Sequence, residues 1–157
     1  MRTCLIICIN LFLTGQIFSQ APASTKAELD SIYQVNIKLS KINGVYIPAN
    51  ITEAFLRLET LTPGDALEKF KLAEEKEVCR KVHFGIGRWM IVNWNFYEGS
   101  RLSHYLKEKG LLHPDDMAQF LLRTFHRHLN KKDLEQKAII EELAEERKKT
   151  ARKLIDN

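Results

Sequence analysis

The sequence predicts a single compact all-α domain of five or six helices, and three observations carry that prediction. Apolar residues recur at three- and four-residue spacing from Ala54 to Ala73 and again from Met117 to Phe125. Capping and stop residues bracket both stretches. Between them, Phe84 to Trp94 is apolar at Phe84, Ile86, Trp89, Met90, Ile91, Val92 and Trp94, which at 100° per residue covers the whole circumference. A helix apolar on all sides is a buried one, so this run is expected to sit at the middle of the bundle. The length of 157 residues suits one domain, and 45% hydrophobic beside 28% charged residues excludes disorder, collagen-like repetition and a multi-span membrane protein.

The chain opens on residues that read as a secretory signal peptide over 1–23. Met1-Arg2 gives a positive end, Cys4 to Leu13 is apolar apart from Asn10, and Ala21 and Ala23 frame a cleavage site ending at Ala23. The apolar run is well short of the roughly 20 residues that cross a hydrocarbon core. No small residue precedes Cys4 or Cys8, so no lipid anchor is expected. The destination is periplasmic or secreted, and removal of the leader leaves Cys79 as the one cysteine, with no internal disulfide open to it. Cys79 reads as a small buried apolar side chain in preference to a nucleophile or a dimer-forming thiol. The net charge of +4 comes from nearly balanced cations and acids with no basic stripe among aromatics, which argues against nucleic acid as a partner.

Residues 24–47 form a leader or linker in which two readings compete. Leu29, Ile32, Tyr33, Asn36 and Ile37 share a helical face, whereas Tyr33, Val35, Ile37 and Leu39 alternate as a strand does, and Asn43-Gly44 is a hairpin-turn pair. The all-α domain then spans 48–157. Asn50 caps a helix with Glu53 at capping-box spacing, and Ala54, Phe55, Leu58 and Leu61 share its face. Thr62 is expected to cap a second helix with Pro63 at its first position. Asn50-Ile51-Thr52 also matches a glycosylation acceptor, but the cap accounts for Asn50.

Beyond the apolar run, Ser100 caps a short helix that stops at Gly110. His113-Pro114-Asp115-Asp116 opens the next helix with acids where the dipole favours them. On that helix Met117, Leu121, Thr124, Phe125 and His128 form the core stripe, and Gln119, Arg123, His126 and Arg127 the other side. The last helix, Leu134 to Ile155, is charged, with Glu145 four residues before Lys149 and sparse contacts through Leu134, Ala138, Leu143 and Leu154. Its cationic end, Arg147 to Lys153, reads as a solvated face in preference to a membrane or polyanion patch.

The run Val82-His83-Phe84-Gly85-Ile86-Gly87-Arg88-Trp89-Met90, with Asn93-Trp94, Gly99-Ser100-Arg101-Leu102, Tyr105, Gly110 and His113 to Met117, resembles an uncharacterised Bacteroidetes-type family, domain of unknown function 6794. Tyr46-Ile47-Pro48 and Leu129-Asn130 extend the resemblance over most of the mature chain, and Ile91, Val92 and Asn95 to Tyr97 depart from it. The resemblance implies no activity.

Nine residues in or beside those motifs form a candidate functional or structural network: His83, Arg88, Trp89, Asn93, Trp94, Arg101, His113, Asp115 and Asp116. Gly85-Ile86-Gly87 lacks the third glycine of a dinucleotide loop and lets the helix begin or approach a neighbour. No His, Asp or Glu pair has a recognised ligand spacing, so neither metal nor cofactor is expected. Trp89 and Trp94 read as core, and Arg88 and Arg101 as internal ion-pair partners of Asp115 and Asp116 in preference to an anion site. The expected function is an exported module binding an unknown protein or small ligand of the envelope. A small hydrolase using His83 or His113 with Asp115 or Asp116, or a protein that oligomerises through its last helix, is the alternative.

Overall fold

A computed structural model describes residues 25–156; the signal-peptide reading of 1–23 lies outside them. In the leader the helical reading and the hairpin turn both form, while the strand alternation from Tyr33 to Leu39 does not, since Tyr33 and Val35 lie in the first helix. Thr25 and Glu28 exchange side-chain and backbone hydrogen bonds as a capping box, which starts α1 at Lys26–Asn36. Asn43 and Gly44 then both take positive φ, as a two-residue hairpin turn demands, and join β1 (Lys41–Ile42) to β2 (Val45–Tyr46) in an antiparallel pair. No residue of α1 is buried. Tyr33 ties it down, with its hydroxyl 2.9 Å from His104 Nδ1 and the Lys107 ammonium 4.5 Å above its ring. Gly99 is required beneath that ring: its φ is +98°, and a Cβ there would lie 2.1 Å from Tyr33.

Helices follow from Ile51 onward: α2 (Ile51–Leu61), α3 (Gly64–Leu72) and α4 (Glu75–Val82), which passes without a break through a π-helical turn (His83–Gly87) into α5 (Arg88–Asn93). After a tight bend come α6 (Arg101–Glu108), α7 (Pro114–Leu129) and α8 (Gln136–Ile155). With the run from Glu75 to Asn93 counted as one helix, six follow the leader, and the all-α class stands.

Most start and stop signals act as the sequence indicates. Asn50 accepts from Glu53 N at 3.1 Å, and Ser100 and Ser103 box the start of α6. Gly110 leaves α6 at φ +99°. Two signals act differently. The Thr62 hydroxyl turns back to Leu58 O at 2.7 Å and closes α2, so α3 begins at Gly64 with no side-chain cap. On α8 Glu145 pairs with Lys148 at 2.7 Å, three residues on, instead of Lys149.

The centre of the fold is α7, not the run from Phe84 to Trp94. Met117, Ala118 and every residue from Phe120 to His126 are buried, and α7 packs against α2 to α6, the π-turn and α8. The apolar run has two faces: Met90, Ile91 and Trp94 are buried against α7, while Phe84 is 80% and Val92 67% exposed. Its apolar circumference was therefore a poor guide to position. Covered sides depend on which helices return to it, and none returns over Phe84, Arg88 and Val92.

The polar side of α7 corrects the expectation in the opposite sense. Arg123 and His126, assigned to the outer face, are buried, whereas His128, assigned to the core stripe, is exposed, stacked on Phe55 and 3.4 Å from Glu59. Arg123 can be buried because α4 and α8 each bring a carboxylate to it: Nε lies 3.1 Å from Glu75 and Nη2 3.0 Å from Glu142. Lys76 also pairs with Glu142. Burial works to lower the Arg123 pKa, but the hydrogen bonds to the two carboxylates outweigh it and the net shift is upward. On α8, Ile139 and Leu143 enter the core, while Ala138 and Leu154 stay exposed.

Candidate functional site

The π-turn brings the first two candidates together. A π-turn widens the helix by one residue and recurs at functional positions. Here it seats His83 so that Nε2 lies 3.0 Å from Asp115 Oδ1 on the first turn of α7. The histidine is 9% exposed, and Nδ1 is buried without a hydrogen-bond partner. Gly87, one turn on, makes room for the ring: a Cβ there would lie 3.0 Å from Nδ1. Gly87 thus serves close approach as the sequence suggests, while nothing lies within 4 Å of a Cβ at Gly85.

Asp116 turns away from His83 and takes Arg147 of α8 in a bidentate pair, both contacts at 2.6 Å. Those bonds raise the Arg147 pKa against the opposing effect of burial. Arg147 therefore anchors α8 and is not part of a free cationic face. His83, Asp115, Asp116 and Arg147 border a polar groove of about 390 Å³ with Gln119 and Glu146. Among the described residues no group of three or more His, Cys, Asp or Glu could hold a metal ion.

The other candidates lie elsewhere. Neither Arg88 nor Arg101 pairs with Asp115 or Asp116. Arg101 reaches the hairpin, donating to Ile47 O at 2.7 Å, standing 3.4 Å from Glu53 and 5.0 Å from the Tyr46 ring. It meets the same Glu53 carboxylate that accepts from Ala49 N and the Tyr46 hydroxyl, bonds that hold its pKa below the usual value. Arg88 is exposed and has no ion-pair partner among the described residues. Trp94 is core and meets the half-buried Trp89 edge to face at 5.8 Å. Asn93 donates to Trp89 O at 2.9 Å, and His113 is exposed at the start of α7 without capping it through its side chain. Cys79 is buried, and burial pushes its thiol up to about 12, which removes it as a nucleophile.

A second groove, of about 380 Å³, was not singled out from the sequence. It opens between α2, α3, α4 and the π-turn, lined by Leu58, Leu61, Phe70, Ile86, Leu122 and Phe125 among others. Lys81 is the one charged residue on its wall. The sequence signal beside it is Thr62-Pro63, which separates α2 from α3 and itself lines the groove.

Residues 47–129 match a family described as Domain of unknown function (DUF6794). The chain belongs to that family. The match covers more than half of the sequence and stops before α8, so the apolar groove lies wholly inside the family segment, while the polar groove borrows Glu146 and Arg147 from outside it. No curated protein and no solved structure matches the chain.

Proposed function

We propose that the protein is an exported binding module of the cell envelope that takes a small, largely apolar ligand in the groove between α2, α3, α4 and the π-turn. The observation that carries this reading is the groove itself. At about 380 Å³ it falls within the roughly 300–1,000 Å³ of small-molecule sites, and its wall is almost wholly apolar. A groove that apolar, left open inside the family segment, costs hydrophobic burial that a bound ligand restores. N-phenyl-1-naphthylamine, a neutral dye that brightens in apolar surroundings, tests it. Saturable brightening that Ala66→Trp suppresses is the expected result; Ala66 is an exposed residue of the groove wall, so the variant keeps the fold. Dye that never brightens above solvent overturns the reading.

Export rests on the order of positive end, apolar run and small residues in 1–23. N-terminal sequencing of protein made in its own cells is expected to start within a few residues of Ser24; a start at Met1 or Arg2 contradicts it. No described helix is long and apolar enough to cross a membrane.

The hydrolase alternative has one observation in its favour, the 3.0 Å contact of His83 with Asp115. A general base must show a lone pair to substrate. In His83 one nitrogen is shared with Asp115 and the other is sealed, so the pair serves better as a bolt between the π-turn and α7.

A further inference from the structure

The structure assigns a chemical class to the ligand of the apolar groove: an apolar-tailed carboxylate, its tail against the accessible Leu61, Ala66 and Ile86 and its head at Lys81. This rests on the reading of the groove as a binding site and adds the charge of the occupant.

The argument starts from what is missing around Lys81. It is the only charged residue of the wall, is exposed, and has no carboxylate partner among the described residues. The polar residue beside it on that wall, Thr62, already spends its hydroxyl proton on Leu58 O. Lys71, Arg80 and Arg88 are likewise without an ion-pair partner among the described residues, so what distinguishes Lys81 is its place on the apolar wall. An ammonium without an ion-pair partner at the rim of an apolar groove is free to meet a single negative charge, with the modest gain of an exposed ion pair.

The surroundings favour a small amphiphile over a longer polar chain. Lys81 also lines a neighbouring groove of about 550 Å³ between α3 and α4, sharing Ala66, Phe70 and Val82 with the first. The neighbouring groove carries Lys69, Glu74 and Glu77 as well, a charged lining that does not suit an apolar tail, so the tail takes the apolar wall of the first groove. At Gly85, on the same wall, no heavy atom stands within 4 Å of where a Cβ would lie, so the space is clear.

Isothermal titration with decanoate, decanol and decyltrimethylammonium, each kept below its micellar concentration, tests the assignment on the purified protein. Decanoate is expected to bind more tightly than decanol and the cation more weakly than either. Lys81→Gln is expected to weaken decanoate about fivefold, to the level of decanol, with decanol itself unchanged and Lys81→Arg restoring most of the difference. Lys81 is exposed, so neither variant threatens the fold. Equal binding of decanoate and decanol, unchanged in Lys81→Gln, overturns the anionic class and leaves the apolar site standing. Tighter binding of the cation also overturns it. If none of the three binds while N-phenyl-1-naphthylamine does, the ligand class fails alone; if the dye also fails, the groove reading falls with it.

Discussion

The run from Phe84 to Trp94 and the helix α7 exchange the places that their compositions suggest. The first is apolar around its circumference and lies with one side in water; the second carries Arg123, His126 and Arg127 and lies at the centre. Hydrophobicity states what a helix can bury. Which sides are covered depends on where the other helices return, and a polar side can be buried when its charges find partners there. Glu75 and Glu142, 48 residues before and 19 after Arg123, are those partners.

The largest expected effect breaks that arrangement directly. Arg123→Ala removes a buried guanidinium and its bonds to Glu75, which keeps Arg127, and to Glu142, which keeps Lys76, and is expected to cost about 3–5 kcal/mol, read from the urea midpoint. Arg88→Ala, on the exposed side of the apolar run, is expected to stay within about 0.5 kcal/mol. Next, the two faces of the run itself separate in Met90→Ala, expected to cost about 2–5 kcal/mol, and Val92→Ala, expected to change stability by less than about 0.5 kcal/mol. Equal costs at the two positions would restore the all-round buried rod.

A smaller effect sharpens the role of the π-turn. Gly87→Ala crowds the His83 ring and is expected to cost about 1–3 kcal/mol, while Gly85→Ala, with open space around it, is expected to be neutral or stabilising by up to about 1 kcal/mol. The same thermal-melting series reads both. The smallest expected effect is on pH. Glu142 is held below its ordinary value of 4.5, first by the Lys76 hydrogen bond and then by Arg123, with burial opposing. The unfolded chain therefore takes up protons first on acidification, so this contribution is complete above about pH 5 and is lost as pH falls below 4.5. A stability profile that stays level from pH 6 to about 3 contradicts it.

What could be read from sequence follows the range of the signal. Asn50, Ser100, Gly110 and the Asn43-Gly44 turn act within four residues of themselves, and the backbone obeys them. In the leader the helix face and the turn at 43–44 formed, and the strand alternation from Tyr33 to Leu39 gave way to the helix. His83 and Asp115 both stand out in the sequence, but their pairing depends on a π-turn that no periodicity announces. Arg101 meets Glu53 and not Asp115 or Asp116, because only the fold brings that distant acid to it. Arg147 looked like part of a solvated helix end until Asp116 fixed it to α7, and the apolar groove is a gap between helices that no single segment encodes.

Native-state hydrogen exchange resolved by residue bears most directly on the claim that α7 is the centre. The slowest amides are expected between Ala118 and His126, exchanging only through global unfolding, with those of Gly85 to Val92 opening earlier through local motions. The contrary result is slowest exchange in the apolar run with faster exchange along α7, which would place the core where composition alone puts it.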